Sequence, residues 1–481
     1  MRLAGGDKRG AAIDPPFEVL APNDQTLPFV FSSPHSGRIY PKSFLQASRL
    51  DGTAIRRAAE IFLAQTGPKV AVVSAMSGVT DALLEIGSRA LLGSEEEIAN
   101  IGAALRARHV AAAQVLVAAG ARREQVLSSI ESAFDELAAM AKGLAILREL
   151  TPRTSDVILS RGERLASILF AAALAELGTP SKVVDAALLI PTDGRHGNAF
   201  PDLAASDRAI SQKLAPLLAR GTTPVVPGFL GSAPDGRVVT LGRGGTDLTA
   251  TVLGRALGAS RIVLWKDVPG LLTADPRVVP DARVLPRLDL REAAELAYYG
   301  AKVLHPRALI PLSSLPTSAN GDGARPPLFI RPFAEPSAAG TEITSLAPSR
   351  HDRAHPVRAL TAMRSQALLT VAGNGMMGVP GVAARTFTAL QREGISVALI
   401  TQASSEHSLG IGIPKGDADR ARAALLEAFR EEITRREVDG VEIRRDLATI
   451  AVVGLGMPGT LGMAAKVFAA RSPLVASQAS V

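Results

Sequence analysis

The chain has 481 residues, 47% hydrophobic and 21% charged, a balance that suits roughly two to four globular domains with a sizeable core. It has no cysteine, which excludes disulfides, thiolate catalysis and cysteine-based zinc sites. The net charge of +7 is spread along the chain among Asp and Glu, which argues against nucleic-acid binding, and no apolar run is long enough to span a bilayer, so the cytoplasm is the expected compartment.

Residues 1–30 are punctuated by Pro, Gly and Asp and read as loop. Val70-Ala-Val-Val-Ser74 reads as a buried strand, followed by a turn at Gly78 and a helix from Thr80. Residues 95–150, broken near Gly120, read as two antiparallel helices. Strand patterns at 183–185, 224–229, 238–241 and 262–265 then alternate with helical segments, which is the pattern of an α/β protein with a mostly parallel sheet and helices on both faces. Residues 313–327 read as a surface loop and 348–360 as an interdomain linker.

An internal repeat follows. Gly373-Asn-Gly-Met-Met-Gly-Val-Pro-Gly aligns with Gly454-Leu-Gly-Met-Pro-Gly-Thr-Leu-Gly at an offset of 81 residues, each copy after an apolar strand (368–372, 450–453) and before a helix. These glycines either only permit a tight turn or bring helix N-terminal amides to an anion. The first copy continues through strands at 396–404 and 408–414 and a helix near 417–434, whereas the second stops after its first helix.

Several motifs carry chemistry. Leu241-Gly-Arg-Gly-Gly-Thr-Asp247 lies between a strand and a helix expected over 248–257. Its glycines allow close backbone approach, Thr246 or Asp247 is placed to cap the helix, and Arg243 supplies a cationic fork for carboxylate or phosphate. Ser160-Arg-Gly-Glu163 follows a strand-like run, and Val72-Val-Ser-Ala-Met-Ser-Gly-Val-Thr80 ends a strand in small hydroxylic residues. Trp265-Lys-Asp-Val-Pro-Gly270, Thr273-Ala-Asp-Pro-Arg277 and Gly300-Ala-Lys-Val-Leu-His305 complete the set. Each is expected where a strand meets a helix or loop, the edge at which open α/β sheets bind ligands. His109, His196 and His305 have no metal-ligand spacing, and Trp265 reads as core.

In this order the motifs resemble those of aspartate kinases, over about residues 58–470. The resemblance implies an amino-acid kinase fold over 58–347, the linker, and ACT-type βαββαβ units over 361–440 and, in part, 441–481. It implies a substrate set of Thr80, Glu163, Arg243 and Thr246, with Glu163 holding the amino group of L-aspartate and Arg243 a carboxylate. Arg243 and Asp247 are the implied catalytic residues, Asp247 organising the active-site lysine and the metal region. Lys266, Asp267, Leu272, Arg277, Lys302 and Val303 match nucleotide-contact positions, with ATP and Mg²⁺ as cofactors and no other metal. Asn374, Met376, Gln402 and Ser404 match an effector pocket for lysine or threonine, and a homodimer through the ACT-like units is expected. The implied reaction is ATP-dependent phosphorylation of the aspartate β-carboxylate, the first step towards lysine, threonine and methionine.

Aspartate kinases begin with a strand ending in Lys-Phe-Gly-Gly-Thr-Ser, and nothing in residues 1–60 matches it. Residues 15–57, with Phe31-Ser-Ser-Pro-His-Ser-Gly37, instead resemble the start of an N-formylglutamate amidohydrolase, in which His35 would belong to a hydrolase site. Residues 1–57 thus read as a foreign segment, and Leu27-Pro-Phe-Val-Phe-Ser-Ser33 is apolar enough to take the missing strand's place. Loss of one phosphate-cradling donor costs about 3–4 kcal/mol of transition-state stabilisation, so impaired turnover is expected. The alternative is a catalytically inactive, amino-acid-binding remnant of a rearranged gene.

Overall fold

The computed structural model describes residues 29–32, 52–301, 303–315, 325–345, 355–373, 381–402, 407–457 and 460–469. Its first part runs β1 (Phe29–Ser32), α1 (Gly52–Leu63), β2 (Lys69–Val73), α2 (Val79–Leu92), α3 (Glu95–Leu116), α4 (Ala121–Leu147) and α5 (Pro152–Glu176). There follow β3 (Ser181–Val183), α6 (Leu203–Ala219), β4 (Thr223–Pro227), β5 (Leu230–Ser232), β6 (Val238–Thr240), α7 (Gly245–Ala256) and β7 (Arg261–Lys266). This part closes with β8 (Arg287–Asp289), α8 (Leu290–Tyr298), β9 (Leu328–Pro332) and β10 (Thr341–Thr344). The tail comprises β11 (Ala359–Ala372), α9 (Val382–Arg392), β12 (Leu399–Gln402), β13 (Ser408–Pro414), α10 (Ala418–Ala428), β14 (Gly440–Val453) and α11 (Met463–Ala469).

Eight strands form the main sheet in the order β3-β4-β2-β1-β7-β9-β10-β8, parallel throughout except between β9 and β10. Both faces are covered. Ala71 and Val73 of β2 pack with α1–α5, while Val70 and Val72 pack with α6–α8. Burial on both sides is why these strands read as unbroken apolar runs rather than alternating ones. β1 lies at the centre of the sheet, with Phe29 opposite Lys69 on one side and Arg261 on the other. Residues 29–32 of the segment 27–33 therefore do supply a central strand, and these four residues leave no gap in the ladder between β2 and β7.

One local expectation fails. Ser160–Glu163, expected after a strand-like run where a strand meets a helix or loop, lie in the middle of α5. This helix starts at Thr151, whose hydroxyl accepts the Thr154 N–H at 3.1 Å, with Pro152 in the first turn. It is buried on most sides, so the one-sided periodicity that marks a surface helix is missing.

The tail is a four-stranded antiparallel sheet ordered β12-β13-β11-β14. Here the repeat becomes geometry. β11 and β14 are the corresponding 14-residue strands of the two copies, and they pair with each other from Ala359↔Val453 to Ala372↔Gly440. Ser365 (φ 57°) and Asp446 (φ 59°), again 81 apart, form matching left-handed irregularities in the two strands. Arg358 N–H donates to Val453 O and Asp439 N–H to Ala372 O, both at 2.8 Å, so each copy repeats the same closing bond. A Cβ on Gly373 would strike Glu437 O, and one on Gly454 would strike Pro356 O. The two strands are thus related by a local two-fold.

That symmetry is broken at the first part. Ala359 and Val453 are buried in its core, and Leu360 N–H donates to Thr273 O at 2.8 Å. Thr361 Oγ1 donates to Tyr299 O at 3.1 Å, and Leu455 N–H donates to Glu292 Oε1 at 2.9 Å. Among the described residues no helix is long and apolar enough to cross a membrane.

Replacing Val30 by Pro removes a donor from a strand paired on both sides and should cost about 3 kcal/mol or more. V30P is expected to lower the melting temperature or abolish the cooperative transition, read by circular dichroism. An unchanged transition would place β1 outside the sheet.

Candidate active site

The strand ends that carry the site converge through close backbone approaches. Gly162 of α5 sits so near the end of β2 that a Cβ there would lie 2.8 Å from Ala75 Cβ. Gly228, following β4, leaves room for Thr246, which a Cβ would meet at 2.5 Å. Ser74 Oγ donates to Thr246 Oγ1 at 3.0 Å, tying the end of β2 to the head of α7. The helix starts three residues earlier than expected, at Gly245: Gly244, with φ 71°, is the cap, and no side chain caps it. Thr246 and Asp247 therefore lie inside the first turn, where their side chains can be used otherwise.

Asp247 uses both oxygens. Lys266, at the end of β7, donates to Asp247 Oδ1 and Oδ2 at 2.8 Å each, and both residues are about 95% buried (5% and 4% exposed). A pair this enclosed loses much of its Coulomb gain to desolvation, so it does more to fix geometry than to add net stability. Half-buried Asp267 comes next. Burial raises its carboxyl above the ordinary range, and the Lys266 charge pulls it part of the way back.

Glu163 is buried, and its Oε2 finds no hydrogen-bond partner among the described residues. Burial pushes its pKa up to about 8, against the backbone N–H groups of Glu163 itself and Ala75, which favour the carboxylate. A carboxyl in this state suits a site that receives a cation from a ligand. Exposed Arg243 stands at the tip of the Gly-rich turn, close enough for its charge to be felt at His305.

His305, the last residue of the Gly300–His305 motif, has a structural role that its sequence position does not show. It caps the 3₁₀ turn Pro306–Leu309, and Gly244 packs so tightly on it that a Cβ there would overlap His305 Cβ. Burial and then the Arg307 charge push its imidazole below the ordinary value, partly opposed by Asp247. Asp156 is a residue that the sequence reading passed over. Its buried carboxylate accepts from His196 Nδ1 at 2.6 Å, Thr240 Oγ1 at 2.5 Å and Gly197 N–H at 3.1 Å, fixing the loop that borders the Gly-rich turn. His196 also faces a cavity of about 750 Å³ at the start of α5, lined by Thr151, Arg153 and Arg237. A spacing search for metal ligands could not find these residues, because their partners are distant in sequence.

Thr80 is half-buried as the second residue of α2, directly after Val79, which a Cβ on Gly162 would meet at 3.4 Å. Leu272 bridges to Val284 across a loop, and exposed Arg277 is tied back to Asp275 at 2.7 and 2.9 Å rather than to the Lys266–Asp247 pair. Val303 packs against the core beside α8, and Gln402 is exposed at the end of β12. Lys302, Asn374, Met376, Ser404 and His35 lie outside the described residues. No group of three or more His, Asp or Glu that could hold a metal occurs among the described residues.

Two predictions follow from this geometry. The folded-state pKa of Glu163 exceeds the ordinary 4.5, so wild-type stability should fall as pH rises from about 4.5 to about 8 and level off above that. E163Q escapes this loss, so its melting temperature should exceed that of the wild type by a margin that widens over the same window; a constant margin would refute the shift. Removing Asp247 leaves the buried Lys266 ammonium without its carboxylate, so D247A should lose about 3–5 kcal/mol in urea unfolding. The D247L/K266M pair should lose much less than the sum of its two single changes.

Comparison with known proteins agrees with this architecture. The amino acid kinase family profile matches residues 46–317, and an ACT domain profile matches 369–429. The likeness of residues 15–57 to an N-formylglutamate amidohydrolase is not borne out, since the kinase profile already begins at residue 46. The chain is 32% identical over 436 residues to lysine-sensitive aspartokinase 3 of Escherichia coli, covering 90% of this chain and 91% of that protein. It is also 32% identical over 402 residues to a bifunctional aspartokinase/homoserine dehydrogenase of Zea mays, but spans only 42% of that protein's length, and it spans 36% of a second bifunctional relative from Haemophilus influenzae. The structure superposes on E. coli aspartokinase III in complex with aspartate and ADP with a TM-score of 0.73, at 30% identity, covering 92% of this chain and 91% of that one. Against the same enzyme in complex with lysine and aspartate the TM-score is 0.68, covering 94% of each. With both profiles in the expected order, and an aspartokinase relative and structure matched over nine-tenths of their length, the chain belongs to the amino acid kinase family, as an aspartokinase with a C-terminal ACT domain.

Proposed function

We propose that this chain transfers the γ-phosphoryl group of ATP to the β-carboxylate of L-aspartate, giving 4-phospho-L-aspartate and ADP. The observation that carries the reading is the pairing of opposite needs at one strand edge. Glu163 is a buried carboxyl with an unpartnered oxygen, and Arg243 is an exposed cation on a glycine turn at a helix N-terminus. An amino acid carries an ammonium for the first and carboxylates for the second. Thr80 and Thr246 complete the substrate set.

The acceptor is ionised at neutral pH, so no general base is required. A carboxylate oxygen forms a bond to the γ-phosphorus as the bond to the ADP oxygen breaks, and the chain's task is to bring two anions together and neutralise them. Lys266, held by Asp247, puts a fixed positive charge near the head of α7, whose dipole also favours anions. Asp267, Leu272, Arg277, Lys302 and Val303 are assigned to the nucleotide. Mg²⁺ fits as an ion carried on the ATP phosphates and water, since the described residues of this region offer Asp247 and Asp267 but no preformed all-protein cage. The central placement of β1 favours an active enzyme over an inactive remnant.

Within the same reading, the kinase unit spans residues 58–347, and a first ACT-type unit at 361–440 and a partial second one at 441–481 follow the linker. They pair in a homodimer and bind lysine or threonine through Asn374, Met376, Gln402 and Ser404. The enzyme works in the cytoplasm.

The test is ATP-dependent acyl-phosphate formation from L-aspartate, trapped as the hydroxamate. Hydrogen bonds to charged groups are worth about 1.5–3 kcal/mol, so E163Q and R243A should each raise the aspartate KM by about 10- to 100-fold. A wild-type chain that neither forms the acyl phosphate nor binds aspartate would overturn the proposal.

A further inference from the structure

Within the Gly-rich turn Gly245 N–H donates to Gly242 O at 3.0 Å, and further contacts from outside hold the turn in place. Gly242 and Gly244 have φ 74° and 71°, and the exposed Arg243 lies between them. On one side the turn is closed by Leu241 N–H donating to Phe229 O at 2.8 Å. On the other it meets loop 193–200 so closely that a Cβ on Gly242 would lie 2.7 Å from Asn198 Oδ1. Arg307 bridges the two segments. Its Nη1 donates to Leu241 O at 2.6 Å and to Asn198 Oδ1, and its Nη2 donates to Ala199 O at 2.5 Å. The guanidinium carbon stands 5.5 Å from the Phe200 ring centroid, a cation–π distance.

We infer that Arg307 is a positioning residue for the substrate-binding turn: its guanidinium clamps Leu241 to loop 193–200 and thereby sets where Arg243 and the first turn of α7 stand. The clamp spans three acceptors on two segments of chain. A planar fork with fixed donor directions can satisfy that arrangement, whereas a lysine ammonium offers a single point charge. Arg307 also sits two residues after His305, which packs against Gly244, so the 3₁₀ turn Pro306–Leu309 grips both ends of the Gly-Arg-Gly segment. Misplacement of a binding group by about 1 Å can cost 100-fold in rate, so a residue that touches no substrate can still govern its use. This inference rests on the reading that the 241–247 turn receives aspartate.

The experiment compares wild type, R307A, R307K and N198A as full-length chains, by two readouts. Amide hydrogen exchange over 193–200 and 241–247 reads the clamp without any substrate. It is expected to quicken at least tenfold in R307A, less in N198A, and to be partly restored in R307K, with the sheet strands unchanged. Steady-state kinetics should show the aspartate KM raised at least tenfold in R307A and the ATP KM moved by less than threefold. Unchanged exchange in a folded R307A would overturn the inference whatever the activity. So would equal rises in both KM values alongside faster exchange throughout the chain, since that is general loosening. Faster local exchange in R307A, beside a wild type that neither phosphorylates nor binds aspartate, would keep the clamp and remove the proposed substrate.

Discussion

The buried pair of Lys266 and Asp247 is the constraint around which the catalytic part is arranged. It joins the end of a central strand to the first turn of α7 with two 2.8 Å bonds. Neither partner can be moved into water, because each lies beneath the surface and would strand the other. β7 and α7 therefore keep one relative placement, and the turn joining β6 to α7 must take whatever shape spans them. That turn holds Arg243. Its two left-handed glycines follow from the fixed ends rather than from local preference.

The same economy of space recurs at each joint of the site. Helix α7 approaches the chain beside Gly228, α5 approaches the end of β2 at Gly162, and the 3₁₀ turn approaches Gly244. In all three the missing Cβ is what allows one backbone to lie on another's side chain. Packing at this density leaves no freedom for small adjustments, so the charged groups of the site stay where the elements put them. The raised pKa of Glu163 is the consequence for chemistry. Its carboxyl is carried into the interior by a helix that is buried on most sides, where the backbone N–H groups of Glu163 and Ala75 offset the lost water in part and a ligand's cation would add to them.

The sequence made some of this readable and hid the rest for physical reasons. Strands β2, β4 and β7 were plain because burial on both faces makes them apolar without interruption. The Gly-rich turn was plain because it falls between two such signals. The helical placement of Ser160–Glu163 was obscured by the same two-sided burial, which erases helical periodicity just as it smooths a strand. The central place of β1 could be suggested by its apolar character, but only pairing with β2 and β7 decides it. His305 could be seen only as the end of the Gly300–His305 motif, and Arg307, Asn198 and Asp156 carried no signal at all. Arg307 reaches carbonyls 66 and 108 residues away, and Asp156 reaches a threonine 84 residues away, separations that no local pattern records.

The repeat is the feature in which sequence and structure say the most together. Two copies that match in sequence also match in strand length, in the left-handed residue at Ser365 and Asp446, and in the bond that closes each strand. Their surroundings differ. The end of the β11–β14 pair at Ala359 and Val453 is sunk into the catalytic core, and the end at Ala372 and Gly440 is not. A change in how this strand pair sits can reach the catalytic part at the gripped end. The first groups met there are Thr273, on the loop that continues to Asp275 and Arg277, and Glu292, whose other oxygen accepts the Asp289 N–H at the head of α8. A ligand on the sensing sheet can alter catalysis through these contacts only by binding unequally to two placements of the strands. The anchored end is where such a difference would have to appear, because it is the only end that shares a core with the kinase fold among the described residues.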